Sequence, residues 1–343
     1  MHSLEVLPFI NGPKKVKILD IRTKEAFLKG HLPGAIHLPF PIQLKEIRKQ
    51  FGSGIPLRDL KPFIEDYEEW RIKTKAVLSQ DTPTYIYCQS GGLRSYYFFK
   101  LWEKYKRQIY FLGKGYEGYC YFQNQFFSEL QFRRLYVLAG GTGSGKTATL
   151  DTLQKRGRQV INLSLLARHQ GSVFGGINHD DSQPTSIQFQ HNLFELCRNL
   201  NTELPIFVEA EGPFIGRICL PKLFYEMLEK GNIIFLKIPL SARAEYLVKV
   251  YGGIKTAKIL DSLKKIRARL SLENYTIAMN CIRSKKKKEF AKLMITYYDQ
   301  GIQYRRYLTK TGISFNFLEV DIISITDSIE KYLSVTESES EFN

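Results

Sequence analysis

The chain has 343 residues, of which 43% are hydrophobic and 24% charged; these proportions argue against a disordered protein or a fibrous repeat and leave enough chain for two domain cores. No apolar run approaches the ~18 residues of a membrane helix, and the first residues lack a secretion signal, so we expect a cytoplasmic protein with no membrane partner. The net charge of +16 favours a polyanionic partner, and five cysteines without a C-x-x-C pair argue against disulfides and zinc.

Two strand patterns organise the first part of the chain. The first covers residues 16–20 and is followed by a helix-like stretch at 23–29. The second covers residues 84–87, ends directly at Cys88, and is followed by an aromatic-rich helix pattern at 96–105. Strands that alternate with helices predict an α/β domain.

A cysteine loop follows the second strand and has the spacing C-x5-R from Cys88 to Arg94. A loop of this length that closes onto a helix N-terminus directs amides at one point, and with Gly91, Gly92, Arg94 and Ser95 it predicts an oxyanion pocket. The positive potential of these amides and of Arg94 favours the thiolate form of the cysteine, so Cys88 is the candidate nucleophile. Two chemistries fit these residues: acceptance of sulfur or selenium, and attack on a phosphate ester.

A second strand-loop-helix unit begins at an apolar strand over residues 135–139. The loop after it matches G-x-x-x-x-G-K-[ST], the phosphate-binding P-loop pattern, and a helix to about residue 156 follows. Its lysine would contact the terminal phosphates, and its threonine hydroxyl could reach Mg²⁺, so magnesium is possible here. The predicted phosphate-binding residues are Gly140, Gly141, Thr142, Gly143, Ser144, Gly145, Lys146 and Thr147.

Two acids end a further apolar strand at residues 205–211. Glu209 and Glu211 lie on the same side of an extended chain, so either could hold a metal ion or bind a substrate group. The alternative is that both are strand-end acids in solvent.

Basic residues cluster in the region 242–307, which has helical patterns. Examples are Lys264 with Lys265, and residues 285–288. Solvated helix faces would explain any one cluster, but together the clusters favour a nucleic-acid partner.

The patterns predict two domains and a tail. The first domain covers residues 1–125, and the second, a P-loop domain with a helical basic extension, covers residues 133–333. The segment 120–132 has no clear period and is predicted to link them. The last ten residues, 334–343, are predicted to form an acidic disordered tail.

The order of these motifs resembles a known family. Residues 20–22, 30–35 and the Cys88 loop are similar to a rhodanese domain, and its fusion to a P-loop half resembles tRNA 2-selenouridine synthase. Residues 166–175 are similar to that family's A-N-H-R-G-S-x-F-G stretch. From this stretch and the segment after Glu211, the resemblance adds candidate substrate-binding or accessory residues: His169, Gly171, Ser172, Phe174 and Arg217.

The resemblance implies an enzyme that exchanges the sulfur of wobble 2-thiouridine in tRNA for selenium. Selenophosphate would be the donor, geranyl diphosphate would supply an S-geranylated intermediate, and no nucleotide hydrolysis is required. Cys88 would carry the selenium, Lys146 would hold a diphosphate, and the basic second half would hold the tRNA. The chain departs from the family pattern at Ser90, Asn162, Ser164, Arg168 and Ala210.

Two other functions also fit the sequence. A sulfurtransferase or cysteine phosphatase coupled to a P-loop kinase would use both loops but would leave the stretch at residues 169–174 without a role. A catalytically idle tRNA-binding paralogue would use only the basic surface.

Overall fold

The computed structural model describes two compact units. The N-terminal unit comprises Met1–Leu130 with Gln190–Glu195, and the C-terminal unit comprises Gln131–Phe189 with Leu196–Asn343. The residues that the structure describes are 3–11, 16–52, 57–78, 82–103, 108–169, 183–251, 253–310 and 312–341.

The N-terminal unit is built on a five-stranded parallel sheet in the order β1-β5-β4-β2-β3. Its strands are β1 (Ser3–Leu4), β2 (Lys17–Asp20), β3 (Ile36–His37), β4 (Thr84–Tyr87) and β5 (Ile109–Leu112). Its helices are α1 (Val6–Ile10), α2 (Lys24–Lys29), α3 (Leu44–Phe51), α4 (Tyr67–Val77), α5 (Leu93–Trp102) and α6 (Gly115–Glu129), with 3-10 turns at Leu57–Asp59 and Lys61–Phe63.

The central strand β4 is buried along its whole length, as expected for a parallel sheet covered on both faces. Helix α5 covers it with aromatic side chains, and Phe98 and Trp102 of this helix belong to the same apolar cluster as Ile86 of the strand. This packing fixes the end of β4, where Cys88 follows.

Helix α6 corrects one prediction. The segment 120–132, which lacks a clear period, is predicted to link the two domains, but Gly115–Glu129 is helical and belongs to the N-terminal unit. The helix buries Tyr119, Gln123 and Phe127, which are spaced four positions apart. Because Tyr121 is also aromatic but exposed, this helical period is not evident from the sequence. The prediction was wrong because aromatic residues occur on more than one face of the helix.

The C-terminal unit has its own five-stranded parallel sheet, in the order β12-β11-β6-β8-β7, and an antiparallel hairpin of β9 and β10. The α/β class predicted from the sequence is therefore confirmed in both units. The strands are β6 (Leu135–Gly140), β7 (Gln159–Ile161), β8 (Ile206–Glu209), β9 (Phe214–Ile215), β10 (Ile218–Cys219), β11 (Asn232–Lys237) and β12 (Gly312–Asn316).

Helices follow most of these strands. The helices are α7 (Lys146–Lys155), α8 (Leu163–Leu166), α9 (Ser186–Cys197), α10 (Lys222–Lys230), α11 (Leu240–Tyr251), α12 (Thr256–Ile266), α13 (Leu272–Arg283), α14 (Lys287–Asp299), α15 (Ile302–Leu308) and α16 (Ile322–Glu341), with a 3-10 turn at Arg267–Arg269. Five successive ones, α11 to α15, form the basic region. None of the described helices has the length and apolar character needed to cross a membrane.

The end of the chain differs from its prediction. The acidic residues from 334 onward, for which disorder was expected, continue helix α16 as far as Glu341. Asp321 directly precedes the helix, and its side chain accepts a hydrogen bond from the backbone N–H of Ile323. Ile325, Ile329 and Leu333 then form a fully buried stripe, each side chain contributing about 1.5–3 kcal/mol. This packing stabilises the helix, which then extends into the serine- and glutamate-rich end.

Candidate active site

The Cys88 loop connects the end of β4 to the first turn of α5. Cys88 is 4% exposed. Two backbone N–H groups at the start of α6 hold the loop, because that of Tyr116 donates to the Cys88 carbonyl oxygen and that of Glu117 to the Gln89 carbonyl oxygen, both at 2.9 Å. The beginning of α6 is therefore a structural part of the cysteine site.

Gly91 is required by this packing. Its φ of +69° favours glycine, and a Cβ there would lie 2.0 Å from the carbonyl oxygen of Gly113. Gly92 is different, because a Cβ at that position would meet only the Ser90 hydroxyl oxygen at 3.8 Å. Of the two glycines, only Gly91 is dictated by the shape of the loop.

Two polar atoms after the loop are buried without a hydrogen-bond partner in the described part of the chain. They are the Nε of Arg94 and the Oγ of Ser95. A buried donor without a partner costs about 1–3 kcal/mol, so such groups call for an explanation. A bound oxyanion would supply acceptors, which agrees with the role that the sequence predicts for these residues.

A buried ion pair between Arg22 and Asp20 lies beside the Cys88 loop. Arg22 donates through Nη2 to Asp20 Oδ2 at 2.6 Å, and the Tyr87 hydroxyl donates to the same oxygen at 2.7 Å. Burial, together with the Asp20 carboxylate, raises the pKa of Tyr87, so this phenol stays protonated as a donor. The Arg22 guanidinium also lies 3.7 Å from the ring centre of Tyr116, a cation–π arrangement.

His191 completes this polar network within the N-terminal unit. The side-chain amide N–H of Gln123 donates to the Gln190 carbonyl oxygen. This bond fixes the orientation of the Gln123 amide, so that Gln123 Oε1 faces His191 Nδ1 at 3.2 Å. The assigned tautomer therefore carries the proton on Nδ1, and Nε2 accepts from the Tyr116 hydroxyl at 2.7 Å. Burial and the Arg22 charge lower the pKa of His191 to about 3, so the ring is neutral at physiological pH.

The phosphate loop connects β6 to α7 in the C-terminal unit. Gly143 and Gly145 both have a φ of +82°, which only glycine adopts at low cost. The Lys146 ammonium donates to the Gly140 carbonyl oxygen at 3.0 Å and lies 3.7 Å from Glu209 Oε1. The lysine side chain thus folds back onto the phosphate loop and lies next to Glu209 of the neighbouring strand β8.

Glu209 is the acid closest to the phosphate loop. Its Oε2 accepts from the Thr147 hydroxyl at 3.0 Å and weakly from Ser164 at 3.5 Å. A hydroxyl beside one carboxylate fits Mg²⁺, which takes few protein ligands and completes its shell with phosphates and water. Thr147 and Glu209 would hold such an ion, and it would neutralise phosphate charge. A site made of protein side chains alone is a different matter, because the described residues contain no group of three His, Cys, Asp or Glu that could hold a metal.

Glu211 is a buried acid on the same side of the chain. Burial and the neighbouring Glu209 carboxylate raise the pKa of Glu211 to about 8, although Lys146 opposes the shift. The backbone carbonyl of Glu211 accepts from the Tyr307 hydroxyl at 3.3 Å, and burial raises the pKa of Tyr307 to about 12. Neither acid is a solvated strand-end residue, so that alternative is wrong.

Arg243 is a site residue that sequence reasoning missed. It donates to the Thr142 carbonyl oxygen at 3.2 Å and to Asp299 Oδ2 at 2.8 Å, and its Nε donates to the Ile238 carbonyl oxygen at 3.1 Å. A Cβ on Gly141 would lie 2.1 Å from Arg243 Nη1. The guanidinium therefore fixes the phosphate loop from the side of α11 and α14.

The phosphate loop, Glu209 and Glu211 line one end of a cavity of about 470 Å³ in the C-terminal unit. The helices α11 to α14 contribute apolar side chains to the remaining lining, together with polar ones such as Tyr246 and Thr256. The apolar lining includes Leu247, Val250, Ile282, Phe290, Met294 and Ile295. The apolar period of α14 was visible in the sequence, but such a stripe usually indicates core packing.

The structure does not bring every predicted residue to this cavity. His169 and Arg217 are described but do not line it. Arg217 lies exposed in the turn between β9 and β10. Gly171, Ser172 and Phe174 lie outside the described residues, so their predicted roles stay predictions.

Three of the departures from the family pattern, Asn162, Ser164 and Ala210, make local contacts in the structure. Asn162 caps α8 by accepting from the Leu165 N–H at 2.8 Å, and its amide donates to Asp151. The buried Ser164 faces Glu209, and the Ala210 N–H donates to the Leu138 carbonyl oxygen. Arg168 adopts a φ of +48°, which asparagine tolerates better.

Comparison with protein families gives two matches along the chain. A profile described as the tRNA 2-selenouridine synthase AAA domain matches residues 133–329, and the rhodanese-like domain profile matches residues 9–122. A solved tRNA isopentenylpyrophosphate transferase from Bacillus halodurans is 16% identical, covering 61% of this chain and 99% of its own, with a TM-score of 0.34. Similarity at that level supports no argument about function.

Curated relatives align over much of the chain. A tRNA 2-selenouridine synthase of Sulfurovum sp. (strain NBC37-1) is 30% identical over 332 residues, which cover 84% of this chain and 88% of the relative. One from Shewanella denitrificans is 29% identical over 258 residues, covering 72% of this chain and 68% of the relative. With these relatives and a family profile that matches more than half of its residues, the chain belongs to the tRNA 2-selenouridine synthase family.

Proposed function

We propose that this enzyme replaces the sulfur of wobble 2-thiouridine in tRNA by selenium, with selenophosphate as donor and an S-geranylated nucleoside as intermediate. The names of the relatives support tRNA as substrate and 2-selenouridine as product. The geranyl step is supported by one structural observation, namely the lining of the cavity in the C-terminal unit.

That cavity combines a phosphate site with an apolar space. Its volume of about 470 Å³ is within the usual range for small-molecule sites. The phosphate loop offers backbone amides and Lys146 at one end, while the remaining lining includes the apolar side chains of Leu247, Phe290 and Met294 beside tyrosines such as Tyr246. An isoprenoid diphosphate has a charged head and a hydrocarbon tail that suit the loop and the apolar side chains, whereas a nucleotide would bury polar base and ribose groups against those apolar side chains.

In the first step, the sulfur of 2-thiouridine forms a bond to C1 of the geranyl group. The C1–O bond breaks, its electron pair leaves with diphosphate, and the base loses its N3 proton. Lys146 and the loop amides stabilise the charge that develops on the departing diphosphate. Mg²⁺ at Thr147 and Glu209 would add to this stabilisation.

In the second step, the selenium of selenophosphate forms a bond to C2 of the base. The C2–S bond breaks, and its electron pair leaves as the geranyl thiolate; hydrolysis of the Se–P bond then releases phosphate. An alkylated sulfur is a better leaving group than sulfide, which explains why geranylation comes first. Because this step forms no bond to the Cys88 sulfur, we assign to the Cys88 thiol the orientation of the donor's selenium, with Arg94 and Ser95 binding the donor's oxygens.

The test crosses two mutants with two substrates. Lys146→Ala should abolish geranylation of 2-thiouridine tRNA, but it should still selenate tRNA that already carries the geranyl group. Cys88→Ala should geranylate normally but should not selenate. Cys219→Ala, which removes an exposed thiol outside both sites, is the control. Nucleosides are measured by mass spectrometry after digestion.

Other outcomes would contradict the proposal in different ways. If Lys146→Ala blocked both steps equally and the parent hydrolysed ATP during turnover, the phosphate loop would serve a nucleotide. If Cys88→Ala still incorporated selenium, the assignment of Cys88 would be wrong. If the parent bound tRNA but modified none, the chain would be the idle paralogue.

A further inference from the structure

Helix α14 runs along the cavity and presents one continuous face to it. The residues on this face recur at intervals of three and four, which places them one above another along the helix. They are Lys287, Phe290, Ala291, Met294, Ile295, Tyr298 and Asp299.

One end of this face is anchored at the phosphate loop. Asp299 accepts from Arg243 at 2.8 Å, and Arg243 in turn donates to the Thr142 carbonyl oxygen. Because Thr142 is part of the loop, the C-terminal end of α14 marks the position of the phosphates. Residues of α14 that precede Asp299 by one turn lie about 5.4 Å from it along the helix axis.

The helix pitch matches the repeat of an isoprenoid chain. An isoprene unit adds four main-chain bonds of about 1.5 Å, which span roughly 5 Å when extended. Counting from the phosphate end, Met294 and Ile295 therefore face the first unit. Phe290 and Ala291 face the second.

The apolar part of the face ends after that second turn. Phe290 packs against the cluster around Leu263 and Met294, and its side chain lines the cavity. The next residue on the face is Lys287, and Lys285, two residues before it in the chain, also lines the cavity. A third isoprene unit would have to displace the Phe290 ring or desolvate an ammonium group, and both are unfavourable.

We propose that Phe290 sets the length of the isoprenoid donor at two units, that is, at ten carbons. This inference rests on the proposed function, because it concerns the donor of the geranyl step. It also makes Met294 the residue at which added bulk would shorten the accepted chain to one unit.

The experiment supplies the full-length enzyme and 2-thiouridine tRNA with the C5, C10 and C15 allylic diphosphates. The parent should prefer C10, and Phe290→Ala should raise the C15-to-C10 ratio of kcat/KM by about tenfold or more. Phe290→Leu should shift the ratio in the same direction by less. Met294→Phe should lower C10 transfer while keeping C5 transfer. Leu272→Ala, an exposed change outside the cavity, is the control.

The outcomes distinguish a failure of this inference from a failure of the proposed geranyl step. A parent that uses no allylic diphosphate would refute the proposed geranyl step itself. A parent that uses C10, with the C15-to-C10 ratio unchanged in both Phe290 variants, would refute only the role of Phe290. A parent enzyme that transfers the C15 group as well as the C10 group would likewise refute only the role of Phe290. If Phe290→Ala failed to fold, Phe290→Leu and Met294→Phe would decide by their opposite shifts.

Discussion

The Arg22 guanidinium lies 3.7 Å from the ring centre of Tyr116, and the backbone N–H of Tyr116 donates to the carbonyl oxygen of Cys88. Arg22 also donates through Nη1 to Gln89 Oε1 of the same loop at 3.5 Å, so this buried cation contacts the loop both directly and through Tyr116. Its hydrogen bonds to Asp20 and to the Gly30 carbonyl oxygen connect it to the end of β2 and to the residue after α2.

Arg22→Ala should therefore destabilise the N-terminal unit by about 3–5 kcal/mol, because it leaves the Asp20 carboxylate buried without its partner. Both tryptophans of the chain, Trp70 and Trp102, lie in this unit, so tryptophan fluorescence during urea unfolding reports on it alone. Arg71→Ala, which removes an exposed ion pair with Glu68, should cost less than about 1 kcal/mol. Equal losses in the two variants would contradict the structural role of Arg22.

Arg94→Ala should weaken the selenium step by about ten- to a hundredfold in kcat/KM for selenophosphate, since a charge-assisted hydrogen bond contributes about 1.5–3 kcal/mol. The affinity for tRNA should not change. The measurement is steady-state selenation of geranylated tRNA at varied selenophosphate, with the exposed Arg58→Ala as control. An Arg94 variant as active as the parent would remove this residue from the oxyanion site.

Glu211 should make the C-terminal unit less stable as pH rises. Its pKa is raised from 4.5 to about 8, so between these values the folded chain holds a proton that the unfolded chain has released. The free energy of unfolding therefore falls through this window and levels off above it. Glu211→Gln should remove this fall, so its advantage over the parent should be greater at pH 8 than at pH 5.

Circular dichroism reports on both units, and tryptophan fluorescence from Trp70 and Trp102 identifies the transition that belongs to the N-terminal unit, so the remaining transition is that of the C-terminal unit. Glu319→Gln, at an exposed acid, should leave the pH dependence as it is in the parent. A parent whose C-terminal unit gained stability between pH 5 and pH 8 relative to Glu211→Gln would contradict the assigned direction of the shift.

Binding of tRNA should weaken steeply with salt, because counterions are released from the phosphates. Removing Lys265 and Arg269, two exposed cations of the basic region, should lower the slope of log K against log[salt] by about 1–2. Removing Lys45 and Lys49 from α3 should leave the slope nearly unchanged. Fluorescence anisotropy with labelled tRNA at several salt concentrations measures both. Equal changes in the two pairs would refute a tRNA site on the basic region.

Local features of the fold could be predicted from the sequence. Strand β4 with its cysteine, and the glycine loop between β6 and α7, each follow from short stretches whose backbone needs particular residues. Contacts between distant residues could not be predicted. Arg243 meets Thr142 across 101 positions and His191 meets Tyr116 across 75, and no local pattern reports such pairs. The apolar face of α14 was readable, but only the cavity distinguishes a ligand-binding stripe from core packing.

The contact between Arg243 and Gly141 has an evolutionary consequence. Position 141 falls among the variable letters of the phosphate-loop pattern, so phosphate binding alone would tolerate a side chain there. Here the guanidinium fills that space and cannot swing away without breaking hydrogen bonds to Ile238, Thr142 and Asp299. A larger residue at 141 therefore requires either that the guanidinium give up some of these hydrogen bonds or that the arginine be lost. The two positions should therefore covary among descendants of this chain.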